Sequence, residues 1–173
     1  MKVVMIFDQT QAGLGGKENP MLPLGGKNMV IGSANMLDPY LKKNDMQIAA
    51  CLYCGDGFFE ANKEEVTKKM AAMCKKIGAD AVLCGPAFNY EGYGEMCAHV
   101  GEFIEQHVGI PTVAAMSKEC ASTIEAFKDK VNIIDMPKKG GIGLTESLSA
   151  MCELAKMKVD GVDTTAFVEA HCY

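Results

Sequence analysis

Five short runs rich in β-branched or aliphatic residues, Lys2–Asp8, Met46–Cys54, Ala81–Cys84, Thr112–Met116 and Val131–Met136, recur along this chain about 20 to 40 residues apart. Such spacing is too long for hairpins and matches strands joined by crossover helices. Between the runs the apolar period changes from that of a strand to that of a helix. Val66, Met70, Met73, Cys74 and Ile77 fall on one face, as do Cys97, Val100, Ile104 and Val108, and Leu144, Leu148, Met151, Cys152 and Ala155.

Capping chemistry agrees with these boundaries. Asn62 precedes Glu64 and Glu65, Gly78 and Gly109 follow the last periodic residues, and Pro111 lies just beyond Gly109. A further helix is expected within Ile31–Lys43, kinked or split by Pro39, and a weaker one over Cys120–Lys128. Right-handed crossovers stack helices on both faces of a parallel sheet. The expected fold is therefore α/β, a doubly wound three-layer sandwich around a mostly parallel sheet of about five strands, flavodoxin-like or Rossmann-like. Residues 1–159 are expected to form a single domain, and 160–173 a tail or assembly arm.

Composition narrows the function classes. With 173 residues, 49% of them hydrophobic, the chain can bury one sizeable core. A net charge of −5 disfavours nucleic acid and anionic membrane surfaces as partners. No apolar run is long enough for a signal-peptide core or a membrane span, so a cytoplasmic location is expected. Eight cysteines in such a chain are expected as free thiols, ligands or redox groups rather than disulfides, and with 13 methionines and no tryptophan they hint at an anaerobic or strongly reducing setting.

In a parallel sheet every strand ends on the same edge, and ligands bind there. The loops Gln9–Gly26, Gly55–Phe59, Gly85–Gly94, Ser117–Cys120 and Pro137–Gly143 should therefore converge. The connection Gln9–Val30, with five glycines and two prolines, is long enough to be functional or mobile. The stretch Cys84 to Gly94 reads as a strand ending in a glycine-rich, aromatic-bearing loop.

Several motifs admit two readings. Cys51-Leu52-Tyr53-Cys54 has the spacing of a redox pair or of two metal ligands, but it overlaps a strand, where residues 51 and 54 point to opposite faces. Lys138-Lys139-Gly140-Gly141-Ile142-Gly143 could present N–H groups to an anion or form a turn with two solvated lysines; it matches no P-loop or dinucleotide fingerprint. The three histidines, His99, His107 and His171, lack the companions of a metal site, and none is expected. There is no nucleophile elbow. Asp8, Asp56 and Glu91 stand near strand ends as candidate acids, bases or polar anchors.

Two blocks go beyond this general grammar. They are Cys54-Gly55-Asp56-Gly57-Phe58-Phe59 before a Glu/Lys-rich helix, and Gly85-Pro86-Ala87-Phe88-Asn89 with Tyr93-Gly94 and Cys97; Gly109-Ile110-Pro111-Thr112-Val113 follows. Together they resemble the selenoprotein B subunit family of glycine, sarcosine and betaine reductases over roughly residues 1 to 155. The resemblance corresponds to the amino-terminal half of that family. Its carboxy-terminal half carries the selenocysteine thought to attack the carbon bearing the amino group, and Cys51/Cys54 falls at a different place.

The resemblance implies a component of reductive C–N cleavage that contributes a substrate-binding wall, with a catalytic partner supplied in trans. It implies a small amine or amino acid as ligand and a reductase subunit as partner, with homo-oligomerisation as a further possibility. No intrinsic cofactor is expected; a pyruvoyl group and selenocysteine, if involved, belong to partner subunits. Candidate catalytic residues are Cys54, Asp56 and Cys97, and candidate substrate contacts are Phe58, Phe59, Phe88, Asn89 and Tyr93. The same residues have a purely structural reading, with Gly85-Pro86 shaping a turn, Phe88 in the core and Asn89 capping a helix. Two alternatives stand beside the reductase component: a non-catalytic binding or assembly module that lost the nucleophile half, and a thiol redox or metal protein using Cys51 and Cys54.

Overall fold

Val3 to Phe7 are completely buried, which requires cover on both faces of the strand they form. In the computed structural model, which describes residues 1–173, this strand, β1 (Lys2–Phe7), is central and pairs in parallel with β3 (Gln47–Tyr53) and β4 (Ala81–Cys84). β4 pairs with β5 (Thr112–Met116), and β5 with β6 (Asn132–Asp135), again in parallel. With β2 (Gly25–Lys27) at one edge, the sheet order is β2-β3-β1-β4-β5-β6.

The five parallel strands are those expected. Taken alone they run second-first-third-fourth-fifth, the flavodoxin-like order rather than the Rossmann order. The sixth strand, β2 (Gly25–Lys27), comes from within the long glycine-rich connection and pairs antiparallel with the end of β3. A β-carbon on Gly26 would approach the Leu52 side chain to 2.8 Å, so a strand this close to its neighbour depends on the missing side chain.

Helices cover both faces. α1 (Ala34–Lys43) and α6 (Leu144–Asp160) pack together on one side, while α3 (Lys63–Ile77) and α4 (Glu91–Phe103) pack together on the other. α2 (Asp56–Ala61), α5 (Ala121–Phe127) and α7 (Thr165–His171) are short additions. α1 runs through Pro39 as one helix, with the proline on its exposed face. α4 continues through a wider turn, Ile104–Val108, and stops at Gly109, whose φ of 76° is the left-handed cap that favours glycine. At the amino edge of the sheet, Lys158 on α6 donates to Thr112 O at 2.8 Å and Asn132 Oδ1 at 3.0 Å and pairs with Glu105. The buried apolar residues form one continuous cluster.

No helix is long and apolar enough to cross a membrane. The free edge of β6 is covered by the chain itself. Cys172 bridges to Ile134, and the Tyr173 N–H donates to Ile133 O at 3.2 Å. The free edge of β2 has no such cover.

Candidate functional site at the carboxyl edge of the sheet

The strand order reverses between β1 and β4, the place where flavodoxin-like sheets open a crevice outside their carboxyl ends. β1 delivers Asp8 and Gln9 to this point, and β3 delivers Cys54 and Asp56. Gln9 Nε2 donates to Asp56 Oδ1 at 3.0 Å, and the Asp56 N–H donates to Gln9 Oε1 at 3.1 Å. This reciprocal pair locks the two loops together and holds one carboxylate oxygen, which also accepts the Gly57 N–H at 3.0 Å. Asp56 Oδ2 faces the start of α4, where a β-carbon on Gly92 would come within 3.3 Å of it.

Asp8 is the buried carboxyl of the site. Its Oδ1 accepts the Gln11 N–H at 2.6 Å. Burial is the largest influence on it, followed by the opposing Gln11 bond and then repulsion from Asp56; together they raise its pKa from 3.8 to about 6. Cys54, fully buried with its thiol 3.4 Å from Met96 Sδ, is pushed up to about 12 by burial and then by the charges of Asp8 and Asp56. At neutral pH it is a thiol rather than a thiolate, so the surroundings as they stand do not activate it.

The long connection Gln9–Val30 does not hang free. It folds back over the end of β3, where Leu22 O accepts the Gly55 N–H at 2.7 Å and Pro20 O accepts the Phe58 N–H at 2.9 Å. Gly55 has to be glycine for this approach, because a β-carbon there would stand 1.9 Å from Pro20 O. Gln11 accepts a hydrogen bond from Ser33 Oγ, and its carbonyl accepts the Ser33 N–H at 2.8 Å. Every buried side-chain nitrogen and oxygen has a partner. The polar groups at the switch point are therefore satisfied and covered by the chain's own loop, leaving Asp8 3% exposed.

On the other side, Phe88 has a φ of 51° and turns its carbonyl to accept the Ser117 N–H at 2.8 Å and the Cys120 thiol at 3.4 Å. The loops after β4 and β5 are thereby tied together. The Phe88 side chain is 4% exposed and joins the core, whereas Asn89 is exposed beside it. Tyr93 and Cys97 project from α4 beneath the crevice and are fully buried. The Tyr93 hydroxyl donates to Ile6 O at 2.6 Å and interacts with the Cys97 thiol, whose pKa burial raises well above the ordinary range. Phe59 is buried edge-on to His99, with ring centroids 6.0 Å apart, while half-buried Phe58 lines a groove with Leu24 and Val66 on the outer side of the loop.

Of the candidate residues, Cys54 and Asp56 thus stand at the switch point beside the end of β1, and Asn89 is exposed in the loop after β4. Phe59, Phe88, Tyr93 and Cys97 are buried in the core, and Phe58 lines the outer groove. Asp8, Gln9 and Gln11 complete the polar cluster. The available signal for them in the sequence was the change from an apolar strand to Asp-Gln-Thr-Gln before the glycine-rich connection.

The other motifs resolve simply. Cys51 and Cys54 are both buried free thiols, and no group of three or more His, Cys, Asp or Glu side chains is placed to hold a metal ion. His99 sits half-buried, its Nδ1 3.3 Å from Thr67 Oγ1, with burial and then Lys63 holding its pKa below the ordinary value. Lys138 and Lys139 are exposed on a turn closed by the Gly141 N–H donating to Lys138 O at 2.8 Å.

Fold and site define an α/β domain of the doubly wound, flavodoxin-like class with a closed acidic cluster at its switch point. The family model for glycine/sarcosine/betaine reductase selenoprotein B matches residues 1–171, and the chain belongs to that family. It is 27% identical over 161 residues to the sarcosine reductase complex component B subunit beta of Peptoclostridium acidaminophilum, covering 93% of this chain and 36% of that protein. It is 31% identical over 153 residues to the glycine reductase complex component B subunit gamma of Carboxydothermus hydrogenoformans, covering 88% of this chain and 34% of that protein. The same component from Symbiobacterium thermophilum is 32% identical over 119 residues, 69% of this chain and 28% of that protein. The chain thus spans about a third of the length of these relatives. No solved structure gives a significant match.

Proposed function

We propose that this chain is a component of a reductive C–N-cleaving system, in which its acidic cluster forms one wall of a site for a small amine or amino acid. The nucleophile and any pyruvoyl group or selenocysteine are supplied by other polypeptide in the assembly. The observation that carries this role is the placing of Asp8 and the Gln9-held Asp56 just beyond the paired ends of β1 and β3, where Phe7 lies opposite Tyr53, in a family whose named relatives belong to glycine and sarcosine reductase complexes.

An ammonium group placed between the two carboxyls would offset their mutual repulsion and favour the ionised form of Asp8. Gln9 holds Asp56 by both its Oδ1 and its N–H, so the carboxylate is oriented before the ligand arrives. Asp8 is buried, which limits screening by bulk water and strengthens a cation contact at its carboxyl. Access requires displacement of the loop beyond Gln9, whose Gln11 N–H is bonded to the Asp8 carboxyl. Cys54, as a thiol, contributes shape and polarity beneath the carboxyls rather than attack.

Burial of Cys54 and Cys97 also supports the second reading, a binding or assembly module that turns nothing over. The two are separated by native co-purification from the source cells followed by an assay of thiol-dependent sarcosine reduction. A reductase component is expected to co-elute, with activity only in the mixture. Turnover by the isolated chain would overturn the division of labour, and full activity of the co-purified complex after removal of this chain would overturn its part in the site.

A further inference from the structure

Three glycines, Gly92, Gly94 and Gly101, lie inside α4, where alanine would favour the helix more. Two of them answer to packing. A β-carbon on Gly94 would stand 3.1 Å from the Cys120 thiol and 3.4 Å from Met116 Sδ, and one on Gly101 would stand 3.1 Å from the Thr112 side chain; both glycines are buried. Gly92 has no such reason. It is exposed, its backbone is helical rather than left-handed, and the nearest atom to a β-carbon there is Asp56 Oδ2, at 3.3 Å.

Asp56 gives that position its meaning. Its Oδ1 is committed to the Gln9 side-chain amide and the Gly57 N–H, at 3.0 Å each, while Oδ2 accepts no hydrogen bond from the chain. Asp56 is half-buried, and every buried side-chain oxygen has a partner, so the unpartnered Oδ2 opens to solvent. It is the acceptor left over for a ligand. A side chain at residue 92 would stand against this oxygen and screen it on the side of α4, and glycine leaves it bare.

We propose that Gly92 is the specificity-determining residue of the amine site, an inference that rests on the ligand role of Asp56 proposed above. An ammonium nitrogen that keeps a hydrogen donates it to Oδ2 in a charge-assisted bond. The missing side chain at residue 92 leaves room beside that bond for a small substituent on the same nitrogen. Amines with no N-substituent or one small one are therefore admitted. A quaternary ammonium has no N–H to give and carries its bulk on every side, so it is disfavoured.

The test is isothermal titration of the full chain and its Gly92→Ala and Gly92→Val variants with glycine, sarcosine and trimethylglycine. The parent is expected to bind glycine and sarcosine, and trimethylglycine about ten-fold or more weakly than sarcosine. Gly92→Ala should lower the ratio of sarcosine to glycine affinity about ten-fold, because the new methyl group competes with the N-methyl group for the space beside Oδ2. Gly92→Val should weaken both ligands by about that factor or more. The thermal midpoint of Gly92→Ala should equal or exceed the parent's, since alanine is the better helix former, which keeps the comparison free of misfolding. An unchanged ratio in Gly92→Ala, parental binding by Gly92→Val, or trimethylglycine bound as tightly as sarcosine would overturn the proposal, while binding lost in Asp56→Asn would leave the amine site standing. No amine binding by the parent, or binding indifferent to Asp56→Asn, would overturn the amine site and this inference with it.

Discussion

Gln9 and Asp56, 47 residues apart in sequence, exchange two hydrogen bonds of 3.0 and 3.1 Å and so clamp the first and second crossover loops together at the switch point of the sheet. The clamp makes the acidic cluster a fixed feature rather than an average over mobile loops. Replacing Gln9 by Met keeps the size and removes both bonds, leaving the Asp56 N–H without its partner. A loss of about 1–2 kcal/mol in urea unfolding is expected; unchanged stability would mean that the clamp contributes nothing.

Asp8 makes stability depend on pH in an unusual direction. Its folded pKa of about 6 lies above the ordinary 3.8, so the folded state holds the proton more tightly than the unfolded one. Its contribution is greatest below about pH 4 and is lost as pH rises through 6. Asp8→Asn removes the buried charge and keeps an oxygen for the Gln11 N–H. The variant should be more stable than the parent at pH 8, by up to about 3 kcal/mol, with the difference vanishing near pH 4. Urea unfolding at both pH values checks this, and destabilisation at pH 8 contradicts it.

Thiol accessibility follows from burial. Seven of the cysteines are buried and Cys172 is only partly so. An aromatic disulfide reagent at pH 8 should therefore react promptly with Cys172 at most, and with the remaining thiols only in guanidinium. Prompt reaction of Cys54 in the native protein would show a more open, more ionised site than described.

Tyr93 tests whether the floor of the crevice is structural. Tyr93→Phe removes the buried bond to Ile6 O and should cost about 1 kcal/mol in stability, with ligand affinity unchanged. A large loss of amine binding at unaltered stability would instead make its hydroxyl a ligand contact.

Lys158 ties α6 to the amino edge of β5 and β6, with its side chain only 13% exposed. Lys158→Met leaves Glu105 unpaired and two acceptors open. A loss of about 2–3 kcal/mol is expected in denaturant unfolding, and a neutral outcome would show that water replaces the lysine freely.

Much of this architecture is legible in the sequence because parallel strands buried on both faces read as apolar runs, and Val3–Phe7 is such a run. Strand order is not written locally, since it depends on which crossovers fold left or right of β1. The antiparallel β2 escapes notice for a related reason. Gly25-Gly26 carries no apolar period, and its pairing is permitted by the absence of side chains against Tyr53 and Leu52. The approach of Cys54 and Asp56 to the end of β1 follows from neighbouring parallel strands ending on one edge. The direction each side chain takes does not, which is why Tyr93 and Cys97, the third and seventh residues of α4, belong to its buried face while Asn89 stays exposed. Asp8 stood out only as the acid ending an apolar strand; its burial comes from the returning loop, a contact that no local pattern encodes.

The proposed function requires Asp8 and Asp56 to anchor a small cationic amine. Isothermal titration of the purified chain with sarcosine at pH 8 tests it most directly, comparing the parent protein with Asp56→Asn. The account predicts saturable binding to the parent, at least ten-fold weaker in Asp56→Asn, and weaker binding by the parent of acetate, which lacks the amine. Equal affinity of parent and Asp56→Asn, or tighter binding of acetate than of sarcosine, would contradict it.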